Sequence, residues 1–132
     1  MAEDEATGEP FPERLFTVDE ANAMVAGLVE SLVRIREARQ VVLQGGQPIR
    51  DSAIGNGGGR RGKEYWEALH GLRADVESVT RQGVILRDPE TGLIDFPSRR
   101  DGAEVYLCWR LGEERVMFWH PQDGGFGGRQ PL

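Results

Sequence analysis

One cysteine, two histidines and no long apolar run limit what this 132-residue chain can be. Cys108 alone cannot build an intrachain disulfide framework or a cysteine-rich zinc cluster. No apolar stretch approaches the roughly 18–20 residues that a membrane helix requires, so no membrane span is expected. The N-terminal MAEDEATGEP is acidic where a secretory signal is basic and then apolar. These absences point to a cytoplasmic protein. A basic surface is missing as well. Of the formal charge of −6, residues 1–13 supply −5, and the rest of the chain is close to neutral. An acidic tail on a neutral body argues against a nucleic-acid partner, whose binders carry basic patches. A tail of this composition is expected to be disordered.

What remains fits a single domain with a modest core, spanning residues 14–132 behind the acidic tail of residues 1–13. FTVDEANAMVAGLVESLVRIREARQVVLQ predicts a long helix over residues 17–44. Thr17 followed by Glu20 is a capping box, in which each side chain satisfies a free backbone N–H. Ala21, Met24, Val25, Leu28, Leu32, Ile35 and Val42 recur by threes and fours. Gly45 and Gly46 are expected to stop this helix, opening a Gly-rich loop over residues 45–62. A second helix over residues 63–82 carries Tyr65, Leu69, Leu72, Val76 and Val79 as a narrow seam.

After Gly83 the apolar period changes to two. VILR, LIDF, EVYLCWR and RVMFWH read as four strands over residues 84–120, joined by DPETG, PSRRDG and LGEE. A Gly-rich C-terminal flap, residues 121–132, follows. The predicted fold is α+β: a long N-terminal helical hairpin packed on a four-stranded antiparallel meander. With these connections one sheet face carries Leu93, Asp95, Val105, Leu107, Trp109, Val116, Phe118 and His120. The other carries Ile94, Phe96, Tyr106, Cys108, Met117 and Trp119. Both faces are substantially apolar, and helices can cover only one. The first helix would be about 40 Å long against strands of about 20 Å, so the hairpin overhangs its sheet. Both features predict a homodimer, with a ligand or the chain's own tails as the other covers for the second face.

Few motifs carry chemistry. GGGRRGKE at residues 57–64 imitates phosphate-binding loops, but Glu64 stands where a magnesium-holding Ser or Thr belongs and no buried strand precedes it. Glu67 and His70 are three apart on a helix, yet both point away from the apolar seam. Cys108 reads as a packed, inert cysteine, since nothing in the pattern sets a base beside it. No nucleophile elbow is present. Asp95, His120 and Asp123 remain. Asp95 and His120 share a face two strands apart, with Cβ atoms about 10 Å apart, and Asp123 follows His120 beyond a proline. One imidazole and two carboxylates suit a divalent metal or a proton shuttle. Arg129 stands near them in sequence as a contact for an anion. The plainer reading is that Asp95 and His120 bind loop backbone at a sheet end.

FTVDEANAM, GVILRDPETGLIDFPSRRDG and VYLCWRLGEERVMFWHPQDGGFGGRQPL together resemble a bacterial family known only as domain of unknown function 2203. The resemblance covers residues 15–44 and 63–132. Its elements D-F-P, C-W-x-x-G-E, W-H and G-F-x-x-R-x-P fall at Asp95–Pro97, Cys108–Glu113, Trp119–His120 and Gly125–Pro131. The resemblance implies no activity, substrate or cofactor, only that these C-terminal polar residues belong to a shared pattern. The expectation is therefore a small, dimeric, non-catalytic binding or regulatory module. The rival is a metal-binding protein or metal-dependent enzyme built on Asp95, His120 and Asp123.

Overall fold

Thr17 and Glu20 cap the first helix reciprocally. The Thr17 N–H donates to Glu20 Oε1 at 2.8 Å and the Glu20 N–H donates to Thr17 Oγ1 at 3.0 Å. In the computed structural model, which describes residues 10–52 and 58–132, α1 runs Val18–Ser52 and α2 runs Gly58–Arg81. Most of the acidic tail and the middle of the Gly-rich segment lie outside the described residues. Helix α1 continues past Gly45 instead of ending at residue 44, and α2 begins before residue 63. Each helical glycine costs about 1 kcal/mol relative to alanine. The antiparallel partner helix offsets that cost: Tyr65 packs beside Gly45, where a Cβ would lie 3.7 Å from the ring. Gly83, with φ +91°, closes α2 as expected.

Five strands follow, one more than the pattern predicts. They are β1 (Ile85–Asp88), β2 (Leu93–Arg100), β3 (Ala103–Arg110), β4 (Phe118–Pro121) and β5 (Gln130–Pro131). Each pairs antiparallel with the next, in the order β1-β2-β3-β4-β5. The added strand is the end of the C-terminal flap, which returns to pair Pro131 with Phe118 and Gln130 with Trp119. The last expected strand is shorter at its start. The Val116 N–H donates instead to Asn22 Oδ1 of α1 at 2.7 Å, which pins the segment before β4 to the first helix.

The register of β3 differs from expectation by one residue. Arg100 pairs with Ala103, leaving only Asp101 (φ 53°) and Gly102 (φ 81°) as the loop. Two positive φ angles in an Asp-Gly pair make the tight turn whose twist matches a hairpin. A one-residue shift exchanges the faces of a strand, so Val105, Leu107 and Trp109 face the helices while Tyr106 and Cys108 join Asp95 and His120. The core then gathers Phe16, Leu28, Leu32, Ile35, Val79, Val84, Ile94, Phe96, Leu107, Trp109 and Val116. At the top of the sheet the Ser98 hydroxyl donates to the Phe16 carbonyl at 2.6 Å. The second face is covered by the chain itself. Phe11 packs on Tyr106 with ring centroids 5.2 Å apart, and Arg129 of the flap lies over Phe118. No described helix is long and apolar enough to cross a membrane.

Candidate functional site

The second sheet face is polar at its centre. Asp95 on β2 pairs across the ladder with Cys108 on β3, and Tyr106 on β3 pairs with His120 on β4. Asp95 and His120 are therefore diagonal neighbours on one face. They share that face as the alternation predicts, but they meet directly: His120 Nε2 lies 3.0 Å from Asp95 Oδ2. Both side chains are 2–3% exposed. On its other side, His120 Nδ1 lies 2.7 Å from the carbonyl oxygen of Pro121. A carbonyl only accepts, so Nδ1 carries a ring proton and donates it.

No sequence pattern marks Arg87 as a site residue. It sits where the β1–β2 register shifts between Leu86 and Asp88, and such a bulge re-aims a side chain. Its Nε donates to Asp95 Oδ2 at 2.7 Å, and its guanidinium lies 4.8 Å above the Tyr106 ring. Burial works against the Arg87 charge, yet the Asp95 carboxylate keeps its pKa above the ordinary value. Tyr106 also packs on His120, with centroids 5.4 Å apart. Asp95 Oδ1 is buried with no hydrogen-bond partner among the described residues.

Cys108, expected on the opposite face, belongs to this group. Ligand atoms of Asp95, Cys108 and His120 all lie within 4.8 Å of one another. Burial, and then the Asp95 charge, push the Cys108 thiol up to about 12. A thiol so far from ionisation is no nucleophile at neutral pH. Asp123 does not join the group. It is exposed on the turn after β4, where the Gly124 N–H closes back onto the Pro121 carbonyl and carries the chain outward.

Arg129 finds an acid, and the acid is Glu113. Its guanidinium forks onto the carboxylate, Nη1 to Oε2 and Nη2 to Oε1, both at 2.7 Å. Nη2 also donates to the Cys108 carbonyl at 3.3 Å. The guanidinium is stacked 4.2 Å from the Phe118 ring and 4.6 Å from Phe126. Glu113 additionally accepts from the Arg110 N–H at 2.9 Å. Burial opposes its charge, but Arg129 and this N–H outweigh it and hold the carboxyl below its ordinary range. A free anion at Arg129 would have to displace Glu113.

The four sequence elements singled out above thus join in two pairs. Asp95 of D-F-P meets His120 of W-H, and Glu113 of C-W-x-x-G-E meets Arg129 of G-F-x-x-R-x-P. Three hollows, of about 320, 650 and 600 Å³, are lined by residues such as Phe16 and Ser98, Asn22 and Met117, and Val29 and Trp109. None of the three is lined by Asp95, Cys108 or His120.

No curated protein and no solved structure matches the chain. One family profile does, described as an uncharacterized conserved protein and matching residues 14–132. The motifs, the fold they build and this near-complete match agree, and the chain belongs to the family DUF2203.

Proposed function

We propose that this chain is a non-catalytic binding module of the bacterial cytoplasm that acts as a homodimer joined through the projecting end of its helical hairpin. The observation that carries this reading is Leu43. Leu28, Leu32, Ile35, Arg39 and Leu43 lie within about 80° of one another on α1, at 100° per residue. The first three are buried in the core, and Arg39 reaches Glu90, in the turn between β1 and β2, at 3.9 Å. Leu43 is one turn further on, past that turn, and is 61% exposed. The core-facing stripe continues beyond the sheet that covers it.

Trp66, 56% exposed near the start of α2, stands edge-on to Tyr65 at the same end. Large apolar side chains so placed favour a partner. A second copy suits them because the end carries both signs, with Lys63, Glu64 and Glu67 exposed on α2 beside Trp66. A twofold interface sets each helix end against its own mate and pairs such charges. The covered second sheet face no longer argues for a dimer; the overhang does. The non-catalytic part rests on Asp95 and His120 being engaged with each other, Arg87 and Pro121, and on none of the three hollows reaching them.

Sedimentation velocity on the Leu43→Glu, Trp66→Glu double variant tests the interface. A shift from a two-chain to a one-chain species with unchanged circular dichroism is expected. A two-chain species that persists in the variant would place the interface elsewhere.

A further inference from the structure

We propose that Asp95, Cys108 and His120 bind one zinc ion, which clamps β2, β3 and β4 together on the second sheet face. The three residues supply an oxygen, a sulfur and a nitrogen within 4.8 Å of one another. Zinc bonds of about 2.0 Å to nitrogen or oxygen and 2.3 Å to sulfur, at tetrahedral angles, set ligand atoms about 3.3–3.5 Å apart. No two of the three ligand atoms lie more than 4.8 Å apart, so the longest gap has to close by at most about 1.3 Å.

Two further observations point to a cation. The Pro121 carbonyl fixes the ring proton of His120 on Nδ1, so in the neutral ring Nε2 turns its lone pair toward a carboxylate oxygen. That contact is repulsive until a proton stands between the two atoms or a metal takes up the Nε2 lone pair. A carbonyl holding the far nitrogen is also the usual support of a metal-binding histidine. Asp95 Oδ1, meanwhile, is buried and unpartnered. Arg87 and His120 both lie against Oδ2, so Oδ1 can ligate while Arg87 stays on its sibling.

The mixed N, O, S set suits zinc over magnesium or calcium, which take oxygen ligands. On binding, Cys108 gives its thiol proton to solvent and ligates as thiolate. The fourth position falls to a water, because no other His, Cys, Asp or Glu joins the group among the described residues.

The full chain, purified without chelator and assayed by elemental analysis, is expected to hold close to one zinc per chain. After chelation, added Zn²⁺ should raise the thermal midpoint, and Co²⁺ should give a thiolate-to-cobalt absorption band. Cys108→Ser should abolish the band, and His120→Asn should weaken Zn²⁺ by more than about 100-fold, beyond the 10–100-fold lost with a supporting partner alone. Asp123→Ala and His70→Ala should leave binding intact. The unmodified chain keeps the test independent of how the variants fold. No zinc as purified, with no midpoint shift and no cobalt band, overturns the proposal. So does zinc that survives Cys108→Ser or leaves with Asp123→Ala or His70→Ala.

Discussion

Removing Asp95 should be among the most damaging single changes in this chain, and a double-mutant cycle with His120 should show why. Both side chains are 2–3% exposed, so water cannot replace either partner. Asp95→Ala leaves the His120 ring nitrogen facing a void, and an unsatisfied buried polar group costs about 1–3 kcal/mol. Losing one member of a buried ion pair costs about 3–5 kcal/mol. The Arg87 side chain is 40% exposed and can turn to solvent, which keeps the sum toward the lower figure. We expect a loss of about 3 kcal/mol, a large part of the roughly 5–15 kcal/mol that holds a domain of this kind folded.

The assay is urea unfolding followed by circular dichroism, with chelator present so that no metal contributes. At a slope of about 1–3 kcal/mol per molar, the midpoint should fall by at least about 1 M. His120→Ala alone should cost less, since Asp95 keeps Arg87. With a proton standing between Nε2 and Oδ2 in the metal-free chain, the coupling from the cycle should be about 1.5–3 kcal/mol, the range of a hydrogen bond to a charged group. An exposed pair would give only about 0.2–1 kcal/mol. A coupling under about 1 kcal/mol would mean that solvent reaches the pair, and the reasoning about this face would be wrong.

Gly92→Ala should destabilise by about 2–4 kcal/mol: φ is +71°, and a Cβ would lie 2.5 Å from Leu111 Cγ and Cδ1. Gly102→Ala, with φ +81° and open space around it, should cost only the backbone strain of about 1–2 kcal/mol. Equal urea midpoints for the two variants would remove the packing argument. Glu113 titrates below its ordinary value of 4.5 in the folded chain, so the stability it contributes is present above that value and lost as pH falls through the lowered one. Thermal midpoints of Glu113→Gln should therefore fall less steeply than those of the unmodified chain below about pH 4.5. Parallel curves would contradict the Arg129 assignment.

Local signals in the sequence are legible where one residue type has one structural use. The Thr17–Glu20 cap, the order of two helices and then a meander, and the shared face of Asp95 and His120 all follow from spacing alone. The β3 register does not, because PSRRDG has the composition of a longer loop, although Asp101-Gly102 closes the hairpin with two residues. That single shift moved Cys108 to the face of His120 and hid the three-residue group. Arg87 was invisible for a different reason: it sits in a bulge, and a period-two pattern has no place for an extra residue. The Arg129–Glu113 fork joins positions 16 apart through an irregular turn, so the sequence marks Arg129 as an anion contact without showing that the anion is a carboxylate of the same chain. Helix α1 outran its expected end because packing against α2 outweighs the cost of two glycines, a tertiary effect that local propensity does not contain.

The most direct test of the account is the mass of the unmodified chain in solution. Static light scattering at micromolar concentration should report twice the 14.7 kDa of one chain. A single species of 14.7 kDa across that range would contradict the dimer and leave the projecting hairpin without the partner proposed for it.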